Sequence, residues 1–538
     1  MEKVVEKSQM KPEKTTQERK VEFDNIIKLY LDSNPILKKG NVNNELEIRF
    51  GTNRQVKKPI TKIEYDNVVQ QLYSNGFKSE NVNGNQLLRI QCEYVDKEGR
   101  KKMSNVRAEI TGTTMIQEYC KTNSIQKLIN MPSTPFNMIK FTEKKSAYQT
   151  NGDRIEKVDM PDFNFRVSFQ TEKDFHTHSP LARQIISKWD DSLKIFRSLN
   201  RVRFYHEELP IFVDLSIVKS SKKTKNKVSI PKYTIQEAEV FEGVEEYEIE
   251  IEVDNTKVST GTQYENPKDL ANLLRKSIRM IMCGIQQTNF PISYKEKSII
   301  LNNYVDLFRD KENKREISSR DFIGPSSYTL ELENVVPINK DSNVPNIREN
   351  YTVTDKADGD RKLMYISDDG KIYLIDTNMN VTFTGAKTSE KTTFETLIDG
   401  EHIKHDKNGK FLNLYAAFDI YFIQSKSVRE LEFINNTEII DEKKEFRLHK
   451  LKKIIDDLKI YSILDKSNSG EVKKNENSKT LPIYIKCKEF LVQTDSYSIF
   501  NGCSKILSNV KDGVYEYNTD GLIFTPSNLA VGANKPGD

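Results

Sequence analysis

Cysteine is scarce in this chain. Five occur in 538 residues (Cys92, Cys120, Cys283, Cys487 and Cys503), with no C-x-x-C pair and no clustering of the six histidines. Neither a disulfide framework nor a zinc site is expected, and a reducing compartment fits. No apolar run approaches the length that spans a bilayer, and Met1 to Lys20 is charged and polar, without the apolar core of a signal peptide. A cytoplasmic protein with no membrane partner is expected. Charge of one sign is not in excess either: 83 Lys and Arg face 79 Asp and Glu, a net charge of +4. That balance excludes a histone-like polycation and confines any phosphate or nucleic-acid site to a local basic patch.

With 36% hydrophobic and 30% charged residues the chain is mostly globular, and its length allows two to four domains. Residues 1–18, rich in Lys, Glu and Gln, read as a disordered tail. Helices are expected over Val21–Leu31, 60–76, Lys268–Cys283, Ser293–Phe308 and Phe446–Leu458. Between the first and third of these lie many segments that alternate apolar with charged residues: Glu45–Phe50, Gln86–Tyr94, Val106–Ile110, Ile139–Tyr148, Asp162–Phe169, Arg201–Tyr205, Ile211–Ile217 and Glu246–Val253. Strands with one apolar and one charged face describe a closed barrel with a polar interior.

Two of these strands are acidic. Glu45 and Glu47 share a face with Arg49, and Glu248, Glu250 and Glu252 share a face two hundred residues later. One such pair is ordinarily a solvated surface, but like charges facing one another inside a barrel call for a divalent cation, and hard oxygen ligands suit Mg²⁺ or Mn²⁺. Inward cations at Arg49, Arg107, Lys144, Arg166, Arg201 and Arg203 match a polyanion such as a triphosphate lying across that metal. The E-x-E-x-R run with a late E-x-E-x-E strand resembles the triphosphate tunnel metalloenzymes, specifically the metal-dependent RNA triphosphatases of fungi, protozoa and large DNA viruses. The resemblance makes Glu45, Glu47 and two of Glu248, Glu250 and Glu252 the metal floor, on which water attacks the γ-phosphate.

A second pattern begins at Lys356-Ala357-Asp358-Gly359-Asp360-Arg361, a lysine between a β-like run and an Asp-Gly turn. A lysine of lowered pKa is a nucleophile, although the same residues make ordinary hairpin turns. The spacing K-x-D-G-x-R resembles motif I of the covalent nucleotidyltransferases, the DNA ligases, RNA ligases and mRNA capping guanylyltransferases. Four further segments follow in that family's order: Tyr373–Asp376, Leu397–Glu401, Ala417–Ile420 and Thr519–Pro526. The form D-G-L-I-F-T-P favours a guanylyltransferase, and the two halves together resemble the multifunctional mRNA capping enzymes of large DNA viruses. That resemblance implies that Lys356 takes up GMP from GTP. It further implies that Asp358, Arg361 and Glu401 lie at the nucleotide, Phe418 stacks on guanine, Lys488 reaches the phosphates and Asp520 sits at a phosphate-bridging metal.

The resemblance has two departures. Thr377 replaces the arginine common after the third motif, and the sequence stops at Gly537-Asp538 before the paired lysines of motif V and the OB domain. The reading is of the front part of a longer enzyme or a degenerate copy, in which the chain as it stands binds GTP weakly and forms the lysyl-GMP adduct poorly or not at all. The expected fold class is α+β: a tail (1–18), an antiparallel β tunnel barrel with flanking helices (19–310), a linker (311–321), and a ligase-like nucleotidyl domain lacking its OB domain (322–538). Expected partners are an RNA 5′-triphosphate end and GTP, with an RNA polymerase or methyltransferase subunit as further candidates, in the host cytoplasm or virion if viral. The competing readings are a non-catalytic module that binds RNA ends or a polymerase, and a polynucleotide ligase.

Overall fold

The computed structural model describes residues 14–37, 42–51, 58–96, 98–131, 138–310, 315–338, 341, 344–435, 444–464 and 481–532. Most of the expected tail, part of the linker, the polar insert Ser467–Ser478 and the chain end lie outside the described residues. The chain divides into two compact units, Met1–Gln287 and Thr288–Asp538. Among the described residues no helix is long and apolar enough to cross a membrane.

The first unit is a closed antiparallel barrel of eight strands. In chain order these are β1 (Val42–Phe50), β2 (Asn85–Val95), β3 (Lys101–Thr111), β4 (Ile139–Ser146), β5 (Phe165–Phe175), β6 (Lys194–Tyr205), β7 (Ile211–Ser220) and β8 (Glu246–Val253). The ring runs β1-β8-β7-β6-β2-β3-β4-β5 and closes where β5 pairs with β1 over nine residues, Val42 opposite Lys173 to Phe50 opposite Phe165. Closure gives each of the eight ring strands a partner on both sides. Period-two alternation does the rest: Leu46, Ile48 and Phe50 are buried outside the barrel wall, while Glu45, Glu47 and Arg49 point into the lumen.

Three helices cover the apolar exterior on one side: α1 (Thr16–Asp32), α2 (Lys62–Ser74) and α3 (Pro267–Gln286). Their stripes, including Phe23, Ile27 and Tyr30, Val68 and Leu72, and Leu270, Leu274 and Ile281, form one core with the outward residues of the strands. Each such side chain contributes about 1.5–3 kcal/mol when fully buried. Gly284 of α3 allows the closest helix approach, since a Cβ there would stand 3.0 Å from the Val68 Cα. The expected disordered tail needs correction at its end: Thr15 caps α1 in a reciprocal capping box with Glu18, so the helix starts at Thr16. Phe163, expected in strand alternation, lies in a 3₁₀ turn that ends at Asn164 with φ 53°. A second apolar cluster covers the opposite wall, built partly on the helices Thr113–Thr122 and Ile125–Ile129, which the sequence reading missed.

In the second unit α4 (Tyr294–Asp306) comes first. By sequence alone this helix falls within the expected barrel domain, 19–310. It packs instead on the following sheet, where Ile300, Tyr304 and Val305 share a core with Leu363, Tyr365 and Tyr373. The Tyr304 hydroxyl donates to the Asp321 carbonyl at 2.6 Å and accepts from the Ile323 N–H at 3.0 Å.

Two sheets follow. The larger is built on β10 (Asp360–Ile366), β11 (Lys371–Asp376), β12 (Val381–Thr388), β13 (Thr396–His405) and β14 (Phe411–Ile423), with β15 (Tyr484–Cys487) parallel to β14. The smaller sets β9 (Tyr351–Ala357) between β16 (Leu491–Val492) and β17 (Thr519–Pro526). Helix α5 (Arg447–Asp457) packs on the larger sheet and α6 (Ile499–Lys511) on the smaller.

Candidate functional sites in the tunnel and at Lys356

The barrel encloses a cavity of about 740 Å³. Nine carboxylates line it (Glu45, Glu47, Glu80, Glu109, Glu172, Asp174, Asp214, Glu250 and Glu252), and so do nine cations (Arg49, Arg89, Arg107, Lys140, Lys144, Lys157, Arg197, Arg201 and Arg203). Unpaired charges in so enclosed a space are prohibitive, and the side chains pair accordingly. Lys144 bridges Glu45 and Glu47 at 2.7 and 2.9 Å. Arg49 meets Glu250 at 2.7 Å, Arg203 meets Asp214 at 2.8 Å and Glu252 at 2.6 Å, and Arg107 meets Glu172 at 2.7 Å. Ser168 donates to Glu47 at 2.9 Å.

The glutamates are not equivalent. Burial, opposed by Lys144 and reinforced by Glu47, Glu172 and Glu252, pushes the Glu45 carboxyl up to about 7. At Glu250 burial also acts upward, but the Arg49 and Arg201 guanidiniums outweigh it and hold the carboxyl down at about 2. Glu47 stands directly opposite Glu252 across the β1–β8 ladder, and Arg49 opposite Glu250. Glu248 does not line the cavity; it pairs with Arg197 at 2.7 Å and with Arg49 at 3.5 Å.

Five of the six expected phosphate-binding cations line the tunnel. The sixth, Arg166, does not: it makes a two-point ion pair with Asp159, at 2.7 and 3.0 Å. Arg89, Arg197 and Glu109 line the tunnel without having been expected there, and so does Asp214, which the alternation of Ile211–Ile217 sets on a polar face. Their signal was the same alternation, present in Leu88-Arg89-Ile90 and in Val213-Asp214-Leu215.

Among the described residues no three His, Cys, Asp or Glu side chains stand together ready to hold a metal ion. The donor set nevertheless fits a hard cation. Glu45 and Glu47 present their hard carboxylate oxygens to a single shared cation, Lys144, at 2.7 and 2.9 Å. The lining is also formally neutral, nine against nine. A polyanion entering it gains net attraction only when carboxylate charge is offset by an added cation.

At the second site Lys356 projects from β9 and forms an ion pair with Asp520 of β17; that hydrogen bond raises the lysine pKa, and both side chains are substantially exposed. Arg361 is opposite Glu401 in the β10–β13 ladder. Its guanidinium is held by Asp399 at 3.1 and 2.5 Å and by the Pro325 carbonyl at 2.7 Å. It lies 5.8 Å from the Phe418 ring centre and 5.5 Å from that of Phe322. Arg361, expected at the nucleotide, is therefore held by Asp399 beside the Phe322 and Phe418 rings. Burial, opposed by Lys488 and reinforced by Asp399, pushes Glu401 up to about 7. Asp358 is exposed, its N–H bonded to the Asn518 carbonyl at 2.9 Å. Lys488, expected at the phosphates, is turned inward: its ammonium donates to Asp355 Oδ2 at 3.0 Å and its side chain is 4% exposed.

Residues 304–467 match the family model for the mRNA capping enzyme, catalytic domain. Over that stretch the chain is similar to the mRNA capping enzymes. A probable mRNA-capping enzyme of Acanthamoeba polyphaga mimivirus is 28% identical over 350 residues, covering 56% of this chain and 27% of that relative. Little more than a quarter of the relative's length is thus represented. Among solved structures, the Mimivirus capping enzyme triphosphatase is 13% identical with a TM-score of 0.31, covering 50% of this chain and 97% of that one. The S. pombe Pct1 RNA triphosphatase is 13% identical with a TM-score of 0.23, covering 56% and 96%. The capping-enzyme match begins in α4 and contains Lys356, Arg361, Glu401 and Phe418; the tunnel strands, Lys488 and Asp520 lie outside it.

Proposed function

We propose that the first unit removes the γ-phosphate from triphosphate-ended RNA in a metal-dependent hydrolysis, and that the second transfers GMP from GTP through Lys356 to the resulting diphosphate end. The observation that carries the first part is the neutral tunnel in which two facing acidic strands are ringed by arginine and lysine. Glu45, Glu47 and Glu252 are the residues that would hold the metal, and Mg²⁺ or Mn²⁺ fits their oxygen donors. When bound, such a cation supplies Lewis-acid polarisation of a phosphoryl oxygen. Lys144, Arg107, Arg201 and Arg203 line the same space and would neutralise the phosphate chain, while Arg49 is paired with Glu250.

In the second unit Lys356 gives up its proton to solvent before attacking the α-phosphorus. The N–P bond forms as the bond to pyrophosphate breaks, and the RNA diphosphate oxygen later displaces the lysine. Phe418 and Arg361 offer a flat, cationic surface to the base, and Glu401 an acceptor to a ribose hydroxyl.

The test is release of γ-labelled phosphate from triphosphate-ended RNA with Mg²⁺ or Mn²⁺. RNA binding without release would replace hydrolysis by a non-catalytic platform. A lysyl adduct formed from ATP in preference to GTP would replace the guanylyltransferase by a ligase.

A further inference from the structure

Lys356 sits opposite an irregularity in its ladder. Between β9 and β17 the pairing passes from Asp355 opposite Leu522 to Ala357 opposite Thr519. One residue, Lys356, therefore faces two, Asp520 and Gly521, and Gly521 has φ +112°, which side-chain-bearing residues rarely adopt. A bulge of this kind re-aims a side chain and leaves ladder groups unpaired. Here it turns the Asp520 carboxylate onto the Lys356 ammonium.

Lys488 meets the freed groups from behind. Its ammonium donates both to the Asp355 carbonyl and to Asp355 Oδ2, the latter at 3.0 Å, and the Tyr517 hydroxyl donates to the same carboxylate oxygen at 3.1 Å. Lys488 also donates its own N–H to the Ala417 carbonyl at 2.8 Å, one residue before Phe418. A single residue thus ties the sheet carrying the nucleophile to the sheet carrying the base platform. For its ammonium to reach a phosphate instead, it would leave a buried carboxylate without its cation, an arrangement that is strongly unfavourable.

We propose that Lys488 is a positioning residue, a buried cation that pins the bulge at Asp355 and, through Ala417, sets the Lys356 amine relative to the Phe418 ring. This rests on the guanylyltransferase reading of Lys356 and gives Lys488 a different role from the phosphate contact that the family resemblance implies.

Two readouts on the full chain test it. The first is lysyl-GMP formation as a function of GTP concentration. Lys488→Met should lower the saturating rate about a hundredfold, the scale of a 1 Å misplacement, with half-saturating GTP little changed, and Lys488→Arg should recover part of the rate. A raised half-saturation point with the saturating rate kept would overturn the proposal in favour of a phosphate contact. The second is acetylation of Lys356, followed by peptide mass and normalised to the exposed Lys410. It should rise severalfold in Lys488→Met as the bulge relaxes and the Asp520 pair loosens, and unchanged labelling would overturn the proposal. If Lys488→Met does not fold, Asp355→Asn removes the charge that the clamp grips and carries the same two expectations. An adduct that persists in Lys356→Ala would sink the guanylyltransferase reading, while the labelling still decides whether Lys488 is a clamp.

Discussion

At the scale of single residues the tunnel distinguishes glutamates that look alike in the sequence. Glu47 accepts from Ser168 and Lys144 and faces Glu252, whereas Glu248 lies outside the cavity on Arg197. Glu47→Gln is expected to lower metal-dependent phosphate release about a hundredfold, and Glu248→Gln to change it little. A phosphate-release assay on both variants checks this, and equal losses would remove the distinction.

Glu401 gives a pH prediction. Its folded pKa of about 7 lies above the ordinary 4.5. The folded state therefore holds a proton that the unfolded state has lost, and stability falls as pH rises from about 4.5 to about 7. Glu401→Gln removes that loss. Its denaturation midpoint should match the unaltered chain's below the window and exceed it increasingly up to about pH 7, with a constant gap above. A gap independent of pH would refute the assignment.

At the scale of elements, buried ion pairs fasten helix to sheet. Arg447, at the start of α5, donates to both carboxylate oxygens of Asp419 at 2.8 and 3.1 Å and to the Leu529 carbonyl at 3.0 Å. Both side chains are buried. Arg447→Met strands the carboxylate and should cost about 3–5 kcal/mol in urea unfolding, most of it recovered in Arg447→Met with Asp419→Leu. No recovery in the double variant would mean that the arginine's carbonyl contacts matter more than the pair. Elements were legible in the sequence in proportion to their periodicity. Glu246–Val253 alternates over its whole length and is a strand with those bounds. The helix Ile499–Lys511, by contrast, was missed, its single buried stripe of Ile499, Gly502 and Ile506 interrupted by a glycine.

At the scale of the whole molecule the division falls at Gln287–Thr288 and not in the charged linker near residue 311. A chain cut after Gln287 is expected to fold alone and retain phosphate release. One cut near Lys311 would carry α4 with Ile300, Tyr304 and Val305 stripped of the sheet they pack on; exposed apolar surface of this kind promotes association. Sedimentation and proteolysis of the two fragments would check this, and a better-behaved longer fragment would contradict it.

The sequence by itself determined the polar-lumen barrel, the two acidic strands and the ordered motifs around Lys356, because strand period and local spacing are properties of the chain alone. It could not rank Glu248, Glu250 and Glu252, because barrel stagger decides which of three equivalent inward positions reaches the cavity and which cation meets each. It placed Arg166 and Lys488 on phosphate and α4 with the barrel, where tertiary packing supplied Asp159, Asp355 and the second sheet. Only the three-dimensional structure decided those partners, since each is fixed by residues up to 133 positions distant, and a buried charge goes to whichever opposite charge the fold brings within reach.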